Sequence, residues 1–200
     1  MYAALVPVKS LYEAKSRLAA HLTQIQRASL VLSMLRHVIH VLKYSAVFNC
    51  ISVVSPDTRV LDKAQSWGVA IHIEEDTGHN PALTAAAKRE LAGGATALLT
   101  ISADLPLLQV SDIQGMIAQS KHHAVVLAPS HEYTGTNALL VCPPLALPYM
   151  FGPGSLQRYL SESHLRQLSS CLYTRIGLGL DIDTIDDLAA LEHLHGNLPI

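Results

Sequence analysis

Cysteine is scarce. Cys50, Cys142 and Cys171 are odd in number and far apart, and no Cys-x-x-Cys pair occurs. This argues against a disulfide framework and a thiolate zinc site, and for a reducing compartment, the cytoplasm. No apolar run reaches the roughly 18 residues of a membrane span. Met1 to Lys9 has no basic segment followed by a long apolar one, so no signal peptide is expected. Charge of one sign is also lacking: 14 Lys and Arg face 16 Asp and Glu, a net charge of −2. No field for nucleic acid or an acidic membrane follows, and neither is expected as a partner. Neither G-x-x-x-x-G-K-[ST] nor G-x-G-x-x-G is present, which disfavours a P-loop NTPase and a dinucleotide-binding site. Without a G-x-S-x-G elbow, or a Cys beside an evident base, covalent catalysis is disfavoured too.

What is present is half hydrophobic and 15% charged over 200 residues, enough for one α/β domain spanning residues 1–200. Short apolar runs at Ala3–Pro7, Cys50–Ser55, Val69–Ile73, Ala95–Ile101, Ala124–Ala128, Ala138–Cys142 and Leu172–Ile176 read as strands. Helical stretches lie between most of them. Ile25, Leu32, Leu35, Ile39 and Leu42 mark one face of a long amphipathic helix beginning near Leu22. Further helices are expected at Thr58–Trp67, Ala82–Leu91, Ser111–Ser120, Ser155–Leu168 and Ile185–Leu194. This alternation predicts a three-layer α/β/α sandwich with a mixed, mainly parallel sheet. The runs at 124–128 and 138–142 have no helix between them, so one strand should be antiparallel.

The candidate site is organised around Asp104. An apolar run leads into this aspartate, and Pro106 stops the strand, so Asp104 falls at or just past the carboxyl end. Ligands of open α/β sheets bind there, and an isolated carboxylate is costly to desolvate unless it meets a cation or donors. Lys9, Lys15 and Arg17 follow the first strand, where doubly wound folds bind phosphates. Bidentate Arg and point-charge Lys suit a triphosphate. Asp181 and Asp183, two apart on an extended segment, point the same way. Asp183 also precedes a capping-box-like helix start, Thr184 to Asp187. With Asp104 as a third carboxylate, these hard oxygens would select Mg²⁺. Phe151-Gly152-Pro153-Gly154-Ser155 sets small residues at a helix start, where free N–H groups bind anions. Thr136-Asn137 is a turn with polar tips, and Asn80 of Gly78-His79-Asn80-Pro81 is placed to read a base edge. Of the eleven histidines, His122, His123, His193 and His195 lack partners at ligand spacing and read as surface residues.

Taken together, Leu5-Val-Pro-Val8-Lys9 with Ala14-Lys15-Ser-Arg17-Leu18, Ala103-Asp104-Leu-Pro-Leu-Leu108, Gly135-Thr136-Asn-Ala-Leu139, Phe151-Gly152-Pro-Gly-Ser155 and Leu180-Asp181-Ile-Asp183-Thr184 resemble the 2-phospho-L-lactate guanylyltransferase family, phosphoenolpyruvate guanylyltransferase-like, of coenzyme F-420 biosynthesis. The resemblance runs, in order, from residue 5 to about 190. It implies a Rossmann-like nucleotide-diphospho-sugar transferase (GT-A-like) fold, a homodimer, and transfer of GMP from GTP to a phosphorylated three-carbon acid with release of pyrophosphate. By the same resemblance Val8, Lys9, Lys15, Arg17, Ser55, Gly78 and Asn80 would hold the nucleotide. Asp104, Asp181 and Asp183 would bind Mg²⁺, with Asp104, Lys15 and Arg17 catalytic, and Thr136, Gly152 and Ser155 would hold the acceptor. His79, where the family has an apolar residue, Tyr133-Thr134, where it favours glycine, and Leu156, where an aromatic is common, depart from the pattern. A different small nucleotidyltransferase, acting on a sugar phosphate or cofactor precursor, or a non-catalytic phosphate sensor, are the competing readings.

Overall fold

A computed structural model describes residues 1–74 and 78–195, with the side chains of 192–195 left aside; the His193 and His195 side chains therefore lie outside the described residues. Seven strands, β1 (Tyr2–Pro7), β2 (Phe48–Ser55), β3 (Ala70–Ile73), β4 (Ala97–Ile101), β5 (Val125–Pro129), β6 (Thr136–Val141) and β7 (Ser170–Leu172), form one sheet in the order β3-β2-β1-β4-β6-β5-β7. The helices are α1 (Gln24–Tyr44), α2 (Thr58–Ser66), α3 (His79–Ala92), α4 (Val110–Gln119), α5 (Ser155–Leu165), α6 (Ile176–Gly179) and α7 (Ile185–His195), with a 3-10 turn at Ser16–Leu18. Among the described residues no helix is long and apolar enough to cross a membrane.

The central strands are continuous apolar runs because helices cover both faces of the sheet. Alternate residues divide between the two layers. Ala4, Val6, Leu99, Ile101 and Val126 pack with Leu35, Val38 and Leu42 of α1, Val60 and Leu61 of α2 and Ile113 and Met116 of α4. Ala3, Leu5 and Leu98 turn the other way onto Leu83, Ala86 and Ala87 of α3, and Val125, Leu127 and Leu139 onto Leu156 and Tyr159 of α5. Full burial of a leucine side chain contributes roughly 2 kcal/mol, so each layer is held by several such contacts. The three-layer architecture is thus the one expected.

β6 is antiparallel to both its neighbours, β4 and β5, while the other pairings are parallel. Its position between β4 and β5 has a direct consequence. Because β6 runs backwards, its first residues, Thr136 and Asn137, lie beside the carboxyl end of β4. The register pairs Ile101 with Ala138, and the Ser102 N–H donates to the Asn137 carbonyl at 2.8 Å.

Four local expectations require correction. Thr136 and Asn137, expected as the polar tips of a turn, are instead the first, buried residues of β6, drawn into the sheet by pairing with β5 and by the Ser102 N–H bond to Asn137. The strand expected at Leu172–Ile176 is instead Ser170–Leu172, paired with β5 from Val125↔Ser170 to Leu127↔Leu172, and Ile176–Gly179 is a short helix. Gly177 enforces that turn: a Cβ there would lie 2.6 Å from the Leu107 carbonyl and 2.2 Å from the Asp112 carboxylate. Ile25, counted in the apolar face of α1, is 83% exposed; it falls in the first turn after the Thr23 capping box, and Val31, Leu35, Val38 and Leu42 carry the buried stripe. α5 stops at Leu165, with Gln167 left-handed just beyond its end at φ 57°.

Candidate active site

The strand order reverses between β1 and β4: the chain proceeds outward from β1 through β2 and β3, then returns to place β4 on the other side of β1. Such a switch point opens a crevice beyond the carboxyl ends of the two strands. The loop after β1 carries Lys9, Lys15 and Arg17, and the loop after β4 carries Asp104. Both line a cavity of about 700 Å³, within the range of small-molecule sites. Thr136, Asn137, Gly152, Ser155, Asp181 and Asp183 line the same cavity.

Two hydrogen-bonded ties, one from backbone and one from a side chain, bring the acidic segments together. The Ile182 N–H donates to the Asp104 carbonyl at 3.3 Å, tying residues 181–183 to the end of β4. The Asn137 amide donates to the Leu178 and Gly179 carbonyls and to Asp181 Oδ1, at 3.1, 3.1 and 3.0 Å. One carboxylate oxygen from each of Asp104, Asp181 and Asp183 then falls within 4.8 Å of the others. Burial, followed by the Asp104 charge and then that of Asp183, pushes the Asp181 carboxyl above its usual range, against the Asn137 hydrogen bond. Asp183 keeps its carboxylate for the cavity because another acid serves the helix. Asp187 Oδ2 accepts from the Asp183 and Thr184 N–H groups at 2.9 and 2.6 Å, and the Asp187 N–H donates back to Thr184 Oγ1. This is the anticipated capping box, and it caps α7 without Asp183.

Lys15 is the cation that meets the acids. Its ammonium pairs with Asp104 and, at 2.9 Å, with Asp183. Arg17, largely exposed, reaches Asp183 at 4.0 Å. Burial alone would lower the Lys15 pKa, but Asp104 and Asp183 outweigh it and raise it. The backbone at Lys15 is left-handed, φ 54°, a conformation that costs a non-glycine residue of order 1–3 kcal/mol and clusters at functional sites. Ties on the preceding residues hold it. The Leu11 N–H donates to Asp57 Oδ2 at 2.9 Å, and Arg27 of α1 donates to the Ala14 carbonyl at 2.9 Å. Asp57 itself caps α2 and pairs with Arg59, whose hydrogen bond is the main reason its carboxyl is held at about 2. Val8 lines the cavity next to Lys9, its N–H anchored on the Val54 carbonyl at 2.8 Å.

Along the same edge, at the starts of β6 and α5, Thr136 and Ser155 are both buried and share a hydroxyl–hydroxyl bond of 3.2 Å. Gly152, at φ 120°, makes a turn that side chains rarely adopt. His79 lines the cavity too, and burial, then Lys9, lower its pKa.

Three residues expected at the nucleotide lie outside the cavity lining. Ser55 is fully buried, and its hydroxyl accepts the Asp57 N–H at 3.1 Å, so it braces the α2 cap. Gly78 caps α3 at φ 85°, exposed at the edge of the described residues. The Asn80 side chain bonds in both directions to the backbone of Phe151, donating to its carbonyl and accepting from its N–H. Conversely, Asp57 and Arg27 carry site geometry that no motif announced, and Asn137, legible only as a polar tip within a motif, ties Asp181 in place. Their partners stand 13 to 46 residues away in the chain.

A switch-point crevice with a carboxylate trio facing a basic turn defines a nucleotidyltransferase-type site. The fold agrees: the chain superimposes with a TM-score of 0.80 on a candidate nucleotide-diphospho-sugar transferase of Desulfovibrio desulfuricans G20, at 15% identity over 98% of this chain and 88% of that one. The sequence narrows the class to a family. Residues 2–198 match the family model described as guanylyl transferase CofC like. The chain is 42% identical to the phosphoenolpyruvate guanylyltransferase of Rubrobacter xylanophilus, over 94% of this chain and 92% of the relative. It is 37% identical to that of Sphaerobacter thermophilus, over 98% and 94%. This protein therefore belongs to the CofC-like guanylyl transferase family.

Proposed function

We propose that this protein transfers GMP from GTP to the phosphate of a phosphorylated three-carbon acid, phosphoenolpyruvate or 2-phospho-L-lactate, releasing pyrophosphate, as a step of coenzyme F-420 biosynthesis. The observation that carries this reading is the convergence of Asp104, Asp181 and Asp183 on the cavity that Lys9, Lys15 and Arg17 also line. Three carboxylates within 4.8 Å are a hard-oxygen donor set suited to Mg²⁺. When bound there, the ion would neutralise phosphate charge and orient the triphosphate. The chain's own groups do the rest. Lys9, Lys15 and Arg17 hold the phosphates and offset the negative charge that builds as pyrophosphate leaves. Thr136, Gly152 and Ser155 hold the acceptor so that its phosphate oxygen lines up with the α-phosphorus. That oxygen is already anionic, so the mechanism requires no general base; positioning and charge neutralisation supply the acceleration.

The relatives named for phosphoenolpyruvate support this acid as the acceptor. The rival nucleotidyltransferase reading predicts turnover with another nucleotide, such as CTP, or with a sugar phosphate. The sensor reading predicts binding without turnover. Pyrophosphate release across the four nucleoside triphosphates against phosphoenolpyruvate, 2-phospho-L-lactate and a phosphoglycerate separates all three. Release confined to GTP with one of these acids is the expected result; none in any combination overturns the proposal. A homodimer belongs to the same proposal and is read by light scattering of the purified chain.

A further inference from the structure

Asn80 stands in the first turn of α3, immediately after the His79 ring that lines the cavity. Its amide makes a matched pair of hydrogen bonds to the N–H and the carbonyl of a single residue 71 positions away. Oδ1 accepts from the Phe151 N–H at 2.9 Å, and Nδ2 donates to the Phe151 carbonyl at 3.1 Å. A primary amide is the side-chain group that offers donor and acceptor at this spacing, so Asn80 plays the part of a neighbouring strand for Phe151, which itself lies outside any strand.

Phe151 is the residue before Gly152, and Gly152, Pro153 and Ser155 line the cavity after it. Several other ties on this loop come from α5, the helix it leads into. The Met150 N–H donates to Tyr159 Oη at 2.8 Å, and Arg158 donates to the Met150 and Pro153 carbonyls. Those bonds shape the loop against its own helix. The Asn80 pair comes from α3, and so fixes the loop relative to the edge of the site where His79 stands. The Phe151 ring reinforces the same junction, edge-on to His79 at 6.1 Å and to Tyr159 at 5.5 Å, and stacked on Tyr149 at 5.9 Å.

We infer that Asn80 is a positioning residue for the acceptor half of the site: it holds the Phe151–Ser155 turn at the distance from α3 that the phosphorylated acid requires, and does not read the nucleotide base. The inference rests on the proposed guanylyl transfer and adds to it the device that sets acceptor affinity. Gly152 at φ 120° and Gly154 at φ 70° leave the turn little stiffness of its own, so an external clamp on the residue before them sets where Gly152 and Ser155 sit.

The test is steady-state kinetics on the full chain with Asn80→Ala, and with Asn80→Asp as a second variant that keeps an acceptor for the Phe151 N–H. Amide hydrogen exchange over residues 149–156 is followed in each. The clamp predicts an acceptor KM raised tenfold or more, a GTP KM within twofold of the parent, unchanged preference among the four nucleoside triphosphates, and faster exchange at the Phe151 amide without a matching change in the central strands. A shift in GTP KM or base preference with the acceptor KM unmoved makes Asn80 a base reader and overturns the inference. Equal increases in both KM values, no change in either, or failure of both variants to fold overturns it as well. If the parent chain transfers no GMP to any acid, the proposed function fails instead; the exchange measurement then still reports whether Asn80 holds Phe151.

Discussion

Replacing Asp104 by Asn separates the chemistry of the carboxylate trio from its structural role. The change is nearly isosteric and keeps an oxygen to accept from Ser102 Oγ, which donates to Asp104 Oδ1. What disappears is one negative charge among three carboxylates within 4.8 Å of one another. For folding, two consequences oppose. The Lys15 ammonium loses one of its two partners, while the repulsion that helps push the Asp181 carboxyl upward is relieved. The net change in stability should stay within about 1 kcal/mol, a shift of no more than about 2–4 °C in Tm for a chain of this size. For catalysis nothing compensates. A unit charge about 4 Å from a cation is worth roughly 4 kcal/mol at an effective dielectric near 20, which is about three orders of magnitude in rate. The assays are a thermal melt, pyrophosphate release, and Mn²⁺ binding followed by electron paramagnetic resonance. The expected outcome is a melt shifted by no more than about 2–4 °C, turnover down by about 10³, and weakened Mn²⁺ binding. Turnover within tenfold of the parent would remove Asp104 from the mechanism.

Further outcomes follow from other parts of the fold. Asp57 is held at about 2 against an ordinary value of 3.8. Its contribution is therefore fully present above the ordinary value and is lost as pH falls through about 2. After discounting for the exposed Arg59 partner it amounts to about 1–2 kcal/mol. Asp57→Asn should flatten the acid limb of urea midpoints measured between about pH 5 and pH 2, and an unchanged limb would contradict the assignment. Ser155→Ala, which removes a buried hydroxyl from the proposed acceptor site, should raise the acceptor KM by about 10–100-fold, the value of a hydrogen bond to an anion, and leave the GTP KM in place. Gly115→Ala would set a Cβ 1.8 Å from the Tyr173 hydroxyl. It should cost about 1–3 kcal/mol by overpacking, with kcat preserved, since α4 stands away from the cavity. Chelation with EDTA should abolish turnover, and added Mg²⁺ should restore it.

What the sequence disclosed and what it withheld divide along physical lines. Asp104 was legible because an apolar run, a lone carboxylate and a proline stand in one stretch, and local pattern alone places that carboxylate at a strand end. The antiparallel β6 was legible because two strands without an intervening helix cannot both run parallel. The edge strand β7 was displaced by two residues because three residues of weak β pattern are set in register by β5 and by the crowding at Gly177, neither of which is local. The site's supports were hidden for the same reason. Asn137 to Asp181, Asp57 to Leu11, Arg27 to Ala14 and Asn80 to Phe151 are single hydrogen bonds, or pairs of them, between segments that only the tertiary fold brings together. Turn residues such as Asn look alike in a sequence whether they cap, clamp or bind.

The most direct test of the central claim is ³¹P NMR of the purified chain with GTP, phosphoenolpyruvate and Mg²⁺. Guanylyl transfer predicts loss of the triphosphate signals together with new, coupled diphosphate resonances and free pyrophosphate. A spectrum that keeps GTP and phosphoenolpyruvate intact, or that yields only hydrolysis products, contradicts it.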